Sequence, residues 1–119
     1  TEILTGVSPK LHDVCLVKKG EGLKVERYDQ YHFQSLAYKY AKRKIEPLLV
    51  TLNPDKIPEF VSHKGQEFNY CLEGRMMVVI GKDSYTLEPG DSLYFNSMLR
   101  HKMLALDGNI AKFLTVILL

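Results

Sequence analysis

His63, Glu67 and His101 are the residues whose types and spacing could do metal chemistry. An imidazole and a carboxylate four positions apart, in HKGQEFNYCLEG (residues 63–74), can project into one cavity if the Lys64-Gly65 step bends the chain between them. Such a pair suits Zn, Fe, Mn or Ni, and a second imidazole completes the two-histidine, one-carboxylate set that non-haem iron uses. The chain has four histidines, so options for the third ligand are few. His101 is the best placed, because it opens an apolar run beyond the turn at Pro89-Gly90-Asp91; His12 and His32 have no visible partners. The bland alternative makes His63 a surface turn residue, Glu67 a strand-end carboxylate and His101 a strand-start residue beside Arg100.

Alternate residues of a strand share a face, so Asn69 and Cys71 point the same way as Glu67. Asn69, Met76, Val78, Tyr94 and Met103 are expected to line a pocket for a small, partly apolar molecule. Ordinary core packing competes with that reading for each Met or Val. The stretch AYKYAKRK (residues 37–44) interleaves Lys39, Lys42, Arg43 and Lys44 with Tyr38 and Tyr40. Basic residues among aromatics can contact nucleic acid, but a solvated loop fits better with a nearly balanced charge.

These residues must be positioned by strands. Apolar or alternating runs occur at residues 14–17, 23–26, 31–38, 47–52, 67–72, 75–80, 84–87, 91–95, 101–106 and 112–119. Gly, Pro, Asn and Asp separate them, at Asn53-Pro54-Asp55, Glu73-Gly74, Gly81-Lys82-Asp83 and Asp107-Gly108-Asn109 among other places. Many short strands with such punctuation predict an all-β, antiparallel sandwich or barrel. RMMVVI-GKDS-YTL reads as a hairpin. Only residues 37–44 could hold a helical turn, and Pro47 stops it from going far. The run FLTVILL is too apolar for an exposed edge, so it is a central strand or part of a dimer interface.

A chain of 119 residues is long enough for one domain with its own core. Residues 13–119 are assigned to that domain, and residues 1–12 to an arm or a join to a further segment. Sixteen Lys and Arg against 14 Asp and Glu leave a net charge of +2. That excess is too slight for a domain built mainly to grip phosphate backbones. Cys15 and Cys71 sit in apolar runs and read as reduced, buried thiols, which suits a cytoplasmic protein. No apolar stretch is long enough to span a membrane, and the first residues lack a signal-peptide pattern.

His63-x3-Glu67-x6-Gly74 resembles the first motif of the cupin superfamily, and Gly90 and His101 fall at the spacing of the second. The strand and turn order of RMMVVIGKDSYTLEPGDSLYF is also similar to that of cupins. Val61 stands where the family's first histidine belongs, and Asn96, Met98 and Ala105 replace the Pro, Gly and Asn of the second motif. The resemblance implies a double-stranded β-helix, or jelly roll, with a site inside the barrel and three of four metal ligands kept: His63, Glu67 and His101.

The wording HxGQEFxYxLEG with PGDSxYF also looks like the C-terminal effector domains of XRE-type bacterial regulators. That resemblance implies a dimeric domain that binds a small molecule, with DNA read by a separate helix-turn-helix domain. The start at Thr1 would then be a boundary within a longer chain. The alternatives are a metal-dependent cupin dioxygenase or isomerase, and a metabolite-binding cupin acting alone.

Overall fold

The computed structural model describes residues 13–25 and 31–119 and shows nine strands and, among those residues, no helix. In chain order they are β1 (Leu23–Val25), β2 (Tyr31–Ser35), β3 (Ile45–Leu52), β4 (Gln66–Glu73), β5 (Met76–Ile80), β6 (Asp83–Leu87), β7 (Ser92–Asn96), β8 (His101–Ala105) and β9 (Ala111–Leu118). A six-stranded sheet runs β1-β2-β3-β9-β4-β7, and a three-stranded sheet runs β6-β5-β8. Every pairing is antiparallel. The expected arm at residues 1–12 lies outside the described residues.

Period-two alternation makes these segments strands and turns one face of each inward. Leu48, Val50 and Leu52 of β3 are buried; so are Ala111, Phe113 and Thr115 of β9, and Glu67, Asn69 and Cys71 of β4. Met76 and Val78 of β5 and His101 and Met103 of β8 face them from the smaller sheet. The C-terminal run is the central strand β9, paired with β3 on one side and β4 on the other. The hairpin forms with a two-residue turn, Gly81-Lys82, because Ile80 pairs directly with Asp83.

One expected strand is absent. Residues 14–17 form no ladder, and Val14 and Leu16 are 67% and 70% exposed. The run VCLV is apolar throughout and strand-like, but no neighbouring strand among the described residues supplies hydrogen bonds. The basic stretch at 37–44 forms turns, stitched by Arg43 forking onto the Glu46 carboxylate at 2.9 and 3.1 Å, while Ser35 donates to the same carboxylate at 3.1 Å.

Candidate metal centre

Glu67 takes its place from β4, which points it into the barrel beside Asn69 and Cys71. His63 precedes the strand. In an extended chain, residues four apart lie about 13 Å apart. Here His63 Nε2 and Glu67 Oε1 are 3.0 Å apart. Gly65 makes the difference, with a φ of 110° and its Cα so near the end of β9 that a Cβ would stand 2.7 Å from the Leu118 carbonyl oxygen. A side chain is excluded there by both the backbone conformation and the neighbouring strand.

The segment carrying His63 is laced to the turn before β8. Val61 and His101 exchange both backbone hydrogen bonds at 2.9 Å, the Ser62 hydroxyl donates to the Met98 carbonyl at 2.6 Å, and the His63 amide donates to the Ser97 carbonyl at 2.9 Å. Phe60 adds a clamp, with Arg100 and Lys102 4.4 and 4.5 Å from its ring centre.

His101 is 1% exposed. Its Nδ1–H donates to the Leu99 carbonyl at 2.7 Å, which turns Nε2 toward Glu67 Oε1, 3.6 Å away. Such an outer partner fixes the tautomer and ring angle of a metal-binding histidine. Phe95 holds the ring edge-on, centroids 4.9 Å apart, and the His63 ring stands edge-on at 5.2 Å.

Ligand atoms of His63, Glu67 and His101 all lie within 4.8 Å of one another. Donors held at 2.0–2.2 Å from one ion stand about 3.0–3.6 Å apart, so the measured 3.0 and 3.6 Å suit a shared divalent cation. Two imidazoles and a carboxylate fit Zn, Fe, Mn or Ni.

The three ligands open onto a cavity of about 40 Å³. That is room for about three water-sized positions, so the site as folded takes a small group. Its walls include Tyr31, Phe33, Val50, Val61, Phe113 and Ile117, with Met103 and Thr115. The Val61 side chain therefore faces the space where a fourth ligand would reach. Tyr31 belongs to the wall through its ring, its hydroxyl accepting the Met103 amide at 2.9 Å.

Of the residues expected to line a pocket, Met103 does so. Asn69, Met76 and Val78 are fully enclosed and stand off the cavity wall. Tyr94 is a correction. It is 63% exposed on the outer face, hydrogen-bonded to Gln66, because its even position on β7 points opposite to buried Phe95. Cys71 is no ligand either. Burial pushes its thiol up, and it donates to the Gly74 carbonyl at 3.2 Å. The walls from β2, β3 and β9 were not foreseen, although the alternation Tyr31/Phe33, Leu48/Val50 and Phe113/Thr115/Ile117 marks their inward faces in the sequence.

A family model described as Cupin domain matches residues 48–117, more than half of the chain, and the protein belongs to the cupin domain family. Its fold is the all-β cupin jelly roll. No curated protein matches the sequence closely enough to count as a relative. Among solved structures, HppE in its FeII form with substrate is similar at 26% identity and a TM-score of 0.73, over 88% of this chain and 60% of that one. An HTH_3 family transcriptional regulator from Vibrio cholerae is similar at 20% identity and 0.64, over 76% and 51%. A sugar phosphate isomerase of the cupin superfamily from Silicibacter pomeroyi is similar at 21% and 0.63, over 76% and 60%. The chain thus spans between 51% and 60% of the length of these proteins.

Proposed function

We propose that the domain is a small-molecule sensor that binds one divalent metal through His63, Glu67 and His101 and takes its ligand in the cavity beside them. The observation that carries this reading is the convergence of the three ligand atoms, with His101 oriented by Leu99, on the mouth of an otherwise apolar cavity. A bound cation would supply Lewis acidity and positions for a ligand's oxygen or nitrogen. His63, at the most exposed edge of the set, controls entry; Val61 and Ile117 keep the neighbouring wall apolar.

Sensing is favoured over acid–base catalysis by the wall itself. Apart from the three ligands, Tyr31 is the one titratable side chain lining the cavity among the described residues, and its hydroxyl already serves the Met103 amide. The likeness to a transcriptional regulator supports a place in a longer cytoplasmic chain, where a homodimer of this domain couples ligand binding to a separate DNA-binding part. A second reading, a metal-dependent oxidative enzyme, is favoured by the donor set and by the 26% likeness to FeII HppE.

Cobalt titration of the metal-stripped chain tests the site. One equivalent is expected to give the visible spectrum of a nitrogen- and oxygen-ligated ion, lost in His101→Ala. Failure to bind near one equivalent would remove both metal readings. Oxygen uptake by the iron-loaded chain on small hydroxylated compounds would replace the sensor with the enzyme.

A further inference from the structure

The cavity beside the candidate ligands has room for about three water-sized positions, so anything larger than a small group needs space elsewhere. A groove of about 560 Å³ offers it, within the roughly 300–1,000 Å³ of ordinary ligand sites. It lies where the two sheets part, between their edge strands β6 and β7. Parity decides which residues face it. Tyr85 pairs with Val78 and Asp83 with Ile80, and Val78 is fully buried, so Tyr85 and Asp83 stand on the inward face of β6. Leu93 and Phe95 line the groove from β7, on the same face as each other. Tyr85 is 42% exposed and Leu99 51%, so these walls are open to a guest.

Two cations stand at the rims. Lys82 belongs to the turn between β5 and β6, and Arg100 to the turn before β8. The Gly81 amide donates to the Arg100 carbonyl at 2.8 Å, which holds the two turns side by side. Arg100 is steadied over the Phe60 ring, yet neither cation has a carboxylate within ion-pair distance among the described residues. Asp83 is the one carboxylate lining the groove, which leaves one positive charge in excess. The groove also backs onto the candidate metal centre. Phe95 lies edge-on to His101 at 4.9 Å, the Leu99 carbonyl accepts from His101 Nδ1–H at 2.7 Å, and Ile80 pairs with His101 across β5 and β8. Three residues that hold His101 are therefore walls of the groove.

We infer that this groove binds a small aromatic carboxylate and that its occupancy is transmitted to His101 through Phe95 and Leu99. The ligand's ring packs on Leu93, Phe95 and Leu99 with Tyr85 beside it. Its carboxylate is met by the planar Arg100 guanidinium and the Lys82 ammonium. A neutral analogue gives the two cations no charge to hold. The groove stands independently of the metal reading; a coupling between its ligand and a metal on His101 rests on that reading.

The test uses phenylacetate and phenylacetamide, which share a ring and differ in charge, on the ¹⁵N-labelled chain with and without zinc. Saturable shifts of the Gly81, Lys82, Leu99 and Arg100 amide resonances are expected with phenylacetate in both states. Its affinity should be about fivefold or more above that of phenylacetamide. Lys82→Gln, in an exposed turn, should weaken phenylacetate by about threefold, and Asp83→Asn should strengthen it by a similar factor. Neither change should alter the zinc stoichiometry. Saturating phenylacetate should also shift the visible spectrum of bound cobalt. No saturable shift, equal affinity for phenylacetamide, or undiminished binding by Lys82→Gln would each overturn the groove site. So would shifts confined to residues 61–67 that require zinc, since the carboxylate would then sit on the metal. A cobalt spectrum that phenylacetate leaves unchanged overturns the link to His101. Phenylacetate binding by a chain that takes up no zinc supports the groove and removes the metal reading alone.

Discussion

His63 comes from a loop, while Glu67 and His101 stand at the beginnings of two strands in different sheets. Each is held by a different device. His101 is turned by the Leu99 carbonyl, His63 is carried by a segment bonded to residues 97–101, and Glu67 is buried by the pleat of β4. Glu67→Gln keeps the shape of the side chain and removes its charge. It is expected to lower metal affinity by more than about a hundredfold, since even outer partners of ligands change affinity by 10–100-fold, and isothermal titration with zinc would measure it. Phe60→Ala removes the ring that Arg100 and Lys102 grip and touches no ligand. A loss of about tenfold in zinc affinity, with the same stoichiometry, is the expected result of loosening His63. The three candidate ligands, whose convergence the structure shows, were legible in the sequence because residue type and spacing carry that information. Tyr94 was misassigned because an aromatic beside a site motif says nothing about parity, and on β7 buried Phe95 decides which face turns inward.

At the scale of elements, β9 is the strand on which both sides of the larger sheet depend. Phe113 is its largest buried side chain, at 2% exposed, so Phe113→Ala should cost about 3–5 kcal/mol in urea unfolding. Gly74 ends β4 at a φ of 73°, where a Cβ would lie 2.5 Å from the Ile110 carbonyl oxygen. Gly74→Ala therefore combines a left-handed penalty of about 1–2 kcal/mol with a backbone clash, and a stability loss of roughly 2 kcal/mol or more is expected by the same assay. The turn before β9 places Asp107 at a φ of 60° and pairs it with Arg75 at 2.8 Å. The guanidinium hydrogen bond holds the Asp107 carboxyl below its usual value. Because the folded value lies below the unfolded one, the pair adds stability above about pH 4 and loses it as pH falls through the lowered folded value. Exposure to solvent keeps the effect small. An NMR titration should place the Asp107 midpoint below the ordinary aspartate value, and Arg75→Gln should raise it.

For the whole molecule, two sheets close over a core that ends in a cavity, and the candidate ligands line part of its wall. A cation bound there ties β4 of one sheet to β8 of the other. Metal that binds the folded chain alone adds stability by mass action, about 2.7 kcal/mol at a hundred times its dissociation constant. The melting midpoint should rise with zinc or cobalt and return on chelation, and His101→Ala should melt at the same temperature with and without metal.

The sequence by itself marked most of the strands and their inward faces and brought His63, Glu67 and His101 forward as candidate ligands, because alternation, turn residues and motif spacing are local properties. Residues 14–17 show the limit: an apolar run was present, but a strand also needs a partner, and none of the described strands pairs with them. Tertiary structure decided how β9 came to lie between β3 and β4, and so which residues became walls. It also decided that Thr115, a lone hydroxyl in an apolar run, would meet Asn69 across two strands with neither group satisfied. Such pairings join residues 46 positions apart, and only the order of strands in the larger sheet makes them neighbours.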